Sequence, residues 1–172
     1  MAENVERWMD GPVDRIPALL QPVAHVLIQA EREVIQLMKD FPPSKLFDRP
    51  AGVASASFHL KHITGVLDRL FTYARNEPLT ANQLNYLKSE QEQSGEVEVL
   101  LQNLSNQVQA SLNQLTATNE AILTEFRGVG RKQLPSTVIG LLFHAAEHTM
   151  RHTGQLNVTV RILSDPPGIK SL

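Results

Sequence analysis

The stretch Ser55-Ala-Ser-Phe-His59-Leu-Lys-His62-Ile-Thr-Gly-Val-Leu-Asp-Arg-Leu-Phe-Thr-Tyr-Ala74 decides the fold. Ile63, Val66, Leu67, Leu70, Phe71 and Ala74 recur every three or four residues, the period of a helix that buries one face. Ser55 is a good N-cap, because its hydroxyl can accept from an otherwise unpaired first-turn amide. Asn76-Glu-Pro-Leu79 then breaks the pattern.

The same period extends outward in both directions. Upstream, Leu19, Leu20, Val23, Val26, Leu27, Ala30, Val34 and Leu37 predict a helix over 16–38, which Phe41-Pro-Pro-Ser44 ends for want of amide donors. Pro50 and Gly52 mark the loop that follows. Downstream, Thr80 and Gln83 match a capping box and predict a short helix to about Glu90, with Gly95 at the next boundary. Val99, Leu100, Leu104, Val108, Leu112, Leu115 and Ile122 predict a long helix over 96–126 with a solvated Gln/Asn-rich side. Gly128, Gly130 and Pro135 read as a linker, 136–163 as the last helix, and Ser164-Asp-Pro-Pro-Gly168 as a tail. The fold class is therefore all-α, a four-helix bundle with antiparallel neighbours and a short extra helix. Residues 1–172 form one domain, with 1–14 and 164–172 as flexible ends.

Composition narrows the function. Of 172 residues, 42% are hydrophobic and 20% charged, which suits a globular domain. A net charge of −2 argues against a nucleic-acid partner, which needs a concentrated basic surface. The absence of cysteine excludes disulfides, thiolate ligands and a cysteine nucleophile, leaving His, Asp and Glu as metal ligands. The N-terminus is acidic, and no apolar stretch is long enough to span a membrane, so a cytoplasmic location without membrane partners is expected.

Five of the six histidines fall in two places: His59 and His62, then His144, His148 and His152. Residues four apart share a helix face about 6 Å apart along the axis, so His148 and His152 can aim at one ion. On a wheel of about 100° per residue, Val138, Leu142, Ala145, Leu156, Val160 and Leu163 form an apolar stripe. His152 lies beside that stripe and His148 on its flank, with His144 further round and Glu147 and Arg151 nearly opposite. His59 and His62 both fall on an apolar arc, so either can reach inward. Neutral imidazoles gathered in a core cost free energy unless each finds a partner, which favours a metal over unlinked core histidines.

The stretch Phe143-His-Ala-Ala-Glu-His148-Thr-Met-Arg-His152-Thr-Gly-Gln-Leu156 resembles the last-helix signature of DinB/YfiT-like proteins. His148, His152, Gly154 and Gln155 occupy its positions, and Phe58-His-Leu-Lys-His62 is similar to the segment that supplies the family's third ligand. The resemblance implies a metal triad of His62, His148 and His152. His59 and His144, each one helical turn from a better placed histidine, are expected as neighbours of the site, and Gln155 as a group able to hydrogen-bond a ligand imidazole. Gly154 reads as a point of close helix packing. The departure is Thr153, which stands where many members have an Arg before the Gly-Gln pair, and this weakens any inference about an anionic substrate there. His144-Ala-Ala-Glu147-His148 also matches a metallopeptidase pattern, but the helical phase turns His144 and Glu147 away from the stripe. Asp68, Arg69 and Arg75 read as solvated or ion-paired, and Trp8 as packing across a bundle end.

The expected cofactor is one divalent ion, zinc or nickel first, with iron and copper next, since imidazoles accept all four. Three ligands leave a coordination position open, as in catalytic sites. The resemblance implies a metal-dependent enzyme such as a thiol-dependent S-transferase acting with a low-molecular-weight thiol. The alternatives are a non-catalytic metal-binding or stress-response protein and a metal-dependent hydrolase. Apolar Val97, Leu101 and Ile122 beyond the main stripe of the third long helix predict a homodimer, as does the resemblance.

Overall fold

The computed structural model describes residues 5–164. Helix α1 (Gln21–Met38), α2 (Ala56–Ala74), α4 (Val97–Ala117) and α5 (Val138–Ser164) form the bundle, with the short α3 (Ala81–Ser89) laid against α2. α1 and α2 each pack against both α4 and α5. Leu27 and Val34 of α1, Leu60, Ile63, Leu67 and Phe71 of α2, Leu104, Val108 and Leu115 of α4, and Leu142, Ala145 and Leu156 of α5 are buried in one core. Each large aliphatic or aromatic side chain removed from water there contributes about 1.5–3 kcal/mol.

The expected caps are present. Ser55 Oγ accepts from Phe58 N at 3.2 Å, and Thr80 and Gln83 exchange both bonds of the capping box. Three boundaries differ from the sequence reading. α1 starts at Gln21 rather than near Ile16, because Pro17 and Pro22 leave only a tight turn at Ala18–Leu20. α4 ends at Ala117 rather than Phe126, since Thr118 is extended and Asn119 accepts from Ala121 N to cap a separate turn. The supposed linker is an antiparallel hairpin, β1 (Phe126–Val129) and β2 (Leu134–Thr137). Buried Arg127 anchors it by donating from Nε to Ala74 O, at the C-terminus of α2.

The first residues are not loose throughout. Arg7–Asp10 forms a turn in which Arg7 N donates to Gln29 Oε1 at 2.8 Å, although Trp8 remains 58% exposed instead of packing inward. The tail after Ser164 lies outside the described residues. On α4, Val97 is buried and Leu101 is half-buried against the core, as is Ile122 beyond it. Among the described residues no helix is long and apolar enough to cross a membrane.

Candidate metal centre

α2 and α5 face each other across the core, and their histidines meet at one end of that contact. One nitrogen from each of His62, His148 and His152 lies within 4.8 Å of the other two, close enough to share an ion. His62 Nε2 and His148 Nε2 are 3.0 Å apart, and the ring centroids of His148 and His152 are 4.6 Å apart. Among the described residues this is the group of His, Asp and Glu side chains with metal-ligand spacing.

The surroundings disfavour the charged forms of His148, His152 and the adjoining His59. Burial, reinforced by the nearby His62, pushes His152 down to about 3 and His59 down to about 4, and burial likewise lowers His148. Neutral imidazoles are the form that binds metal, so His148 and His152 present lone pairs without first losing protons. His148 Nδ1 is buried without a hydrogen-bond partner. Three imidazole nitrogens around one point are a donor set that could hold a metal ion.

The residues that orient this set lie partly where the sequence reading did not look. Glu90, just past the end of α3, is 3% exposed and accepts from His62 Nδ1 at 2.7 Å, which leaves Nε2 free for an ion. Its other oxygen accepts from Arg69 Nη1 at 2.6 Å, so of the two readings open to Arg69 the ion-paired one holds, and the pair is buried. Gly65 makes the contact possible, because a Cβ there would collide with the Glu90 carboxylate and come within 2.6 Å of Arg69 Nη1. The signal in the sequence was a mid-helix glycine one turn before an arginine, at a cost of about 1 kcal/mol in helix propensity. Glu90→Gln should lower metal affinity by about 10- to 100-fold with stoichiometry preserved. Competition with a chelator checks this, and an unchanged affinity would remove Glu90 from the account.

The neighbours divide. His59 is buried with Nδ1 3.0 Å from His152 Nδ1, so it engages one nitrogen of that ring and leaves Nε2 as the other. His144 is half exposed, edge-on to His148 and 3.5 Å from Glu147. Glu147 in turn accepts from Arg151 Nε at 3.0 Å and stays outside the cluster, so the metallopeptidase arrangement is not formed. Gln155 is exposed and makes no hydrogen bond to an imidazole, its expected role falling to Glu90. Gly154 is exposed as well, and a Cβ there would meet nothing within 4 Å, so close packing near the site is not its purpose. His25 sits on α1, outside the group.

Comparison with known proteins bears on the fold and the family. A conserved protein from Enterococcus faecalis of known crystal structure superposes with a TM-score of 0.71 at 17% identity, covering 85% of this chain and 97% of that one. A Streptococcus pneumoniae crystal structure superposes at 0.59 with 12% identity, covering 81% and 86%. At such identities the likeness speaks for the fold. No functionally curated protein matches the sequence. The DinB superfamily model matches residues 27–156, a span that runs from α1 through all three clustered histidines, and the chain belongs to that superfamily.

Proposed function

We propose that the protein is a metal-dependent enzyme that holds one divalent ion on His62, His148 and His152 and acts on a small thiol, as an S-transferase does. The observation that carries this reading is the convergence of three imidazoles, one from α2 and two from α5, on one point. An ion held there would stabilise a thiolate directly and so lower the pKa of a bound thiol. His59 and Glu90 would fix the ligand rings, while Phe58, stacked on His62 at 5.0 Å, shields one side from water. Hydrolysis is less well supported, since Glu90 is already engaged by Arg69 and His62, and Glu147 by Arg151. The test is titration of the cobalt-loaded protein with simple thiols, followed by a screen with electrophiles. New charge-transfer absorption and conjugate formation are expected. Metal binding without thiol binding would favour the non-catalytic alternative.

A homodimer remains part of this proposal, through a different face from the one the sequence suggested. Exposed Phe143, Val158 and Ile162 share one side of α5 with Gly154, whose missing side chain would let a second helix approach closely. Light scattering should give twice the chain mass of 19.2 kDa, and Phe143→Glu should return the mass to that of one chain. A single-chain mass for the unaltered protein would defeat the dimer.

A further inference from the structure

A groove of about 760 Å³, counted to its open mouth, is enclosed by α1, the turn Arg7–Asp10 with Glu6 before it, and α5. His25, Val26, Gln29 and Glu33 recur every three or four residues and so present one face of α1 to it. Glu6, Arg7 and Trp8 line it from the turn, and Met150 from α5. Met150 lies about 160° round the helix from both His148 and His152, so the groove and the histidine cluster occupy opposite sides of α5. None of the three clustered histidines lines it.

The turn that carries Trp8 buries no residue in the core, yet it is tied down at three points. Arg7 N donates to Gln29 Oε1 at 2.8 Å, Arg7 Nη1 to Gly11 O at 2.8 Å, and Arg32 Nη1 to Asp10 Oδ2 at 3.1 Å. Trp8 Nε1 donates to Glu6 Oε2 at 2.6 Å, which holds the indole by its edge while the residue stays 58% exposed. Trp8 thus offers a fixed aromatic ring beside a cavity, and the negative face of such a ring attracts a cation.

Charge selects the same class of ligand. The groove's carboxylates are Glu6 and Glu33, and among the described residues neither pairs with a cation. Glu33 Oε1 accepts from Gln29 Nε2 at 2.8 Å, which fixes the carboxylate without neutralising it. Arg7 is the guanidinium among the lining side chains, and its Nη1 is taken up by Gly11 O. Counting the flanking charges leaves the balance negative. Asp10 pairs with Arg32 and Asp14 with Arg15, Glu31 adds a further carboxylate, and on α5 Glu147 and Arg151 pair with each other.

We infer that this groove is a second binding site, for a small organic ammonium ion whose methyl groups pack on Trp8, Val26 and Met150 while Glu6 and Glu33 balance its charge. The site is independent of any ion held by the histidines.

Trp8 is the chain's single tryptophan, so its emission reports on the groove directly. The full-length protein is titrated at about pH 8, where an ordinary histidine is neutral, with choline, with the uncharged isostere in which carbon replaces the nitrogen, and with the carboxylate tert-butylacetate. The quaternary nitrogen of choline has no lone pair to offer a metal. A saturable change in Trp8 emission is expected with choline, at an affinity about fivefold or more above that of the isostere. Glu6→Gln combined with Glu33→Gln keeps acceptors for Trp8 Nε1 and Gln29 Nε2 but removes both charges, and should erase that preference. Trp8→Leu, followed by calorimetry, should weaken choline binding by about fivefold. The inference is overturned by the absence of saturable choline binding, by equal affinity for the isostere, or by tighter binding of tert-butylacetate. A choline preference that survives in the double variant, or choline affinity unchanged in Trp8→Leu, overturns it as well.

Discussion

Replacing any one of His62, His148 or His152 with Ala should abolish stoichiometric metal binding, whereas His25→Ala should leave one ion per chain. The three nitrogens lie within 4.8 Å of one another and come from two helices, so loss of one leaves two imidazoles and an opening to solvent. Two ligands do not make a closed or catalytic protein site for a cation of this class, which takes at least three. The loss should far exceed the roughly 10- to 100-fold effect of removing an orienting group. His25 lies on α1 outside the cluster and serves as the control. Elemental analysis after gel filtration decides it, and full occupancy in any of the three variants would break the triad.

The second large effect should come from Arg69→Met. Glu90 is 3% exposed and Arg69 9% exposed, and they meet at 2.6 Å. Removing the cation strands a buried carboxylate with only His62 as a partner, and breaking a buried pair from one side typically costs about 3–5 kcal/mol. Arg69→Met combined with Glu90→Met should recover most of that stability, because a matched apolar pair strands no charge. Chemical denaturation of both variants measures the difference. A single variant within about 1 kcal/mol of the unaltered protein would mean that the pair contributes little.

The helices were legible in the sequence where periodicity and caps coincide. Ser55 and Thr80 cap α2 and α3 as read, and the stripe through Ile63, Leu67, Phe71 and Ala74 is buried. Failures occurred where a local break outweighs a continuing pattern. Thr118 leaves the helical region even though Ile122 keeps the spacing, and four-residue strands rich in Gly and Pro carry too little alternation to separate a hairpin from a linker. The i, i+4 spacing fixes the face that His148 and His152 share without knowledge of the tertiary fold, whereas the choice of His62 over His59 rested on the family resemblance. Glu90 could not be placed. Its meeting with His62 spans 28 residues and depends on how α3 folds back over Gly65, which no helical wheel contains. Arg69 is ion-paired, one of the two readings open to it, but its partner could not be named for the same reason.

X-ray absorption at the metal edge of the zinc-loaded protein tests the central claim most directly. Three imidazole nitrogens at about 2.0–2.1 Å, with the remaining position filled by a light atom or an added thiol's sulfur, is the expected result. A shell dominated by carboxylate or water oxygens, with fewer than two imidazoles, would contradict the three-histidine centre.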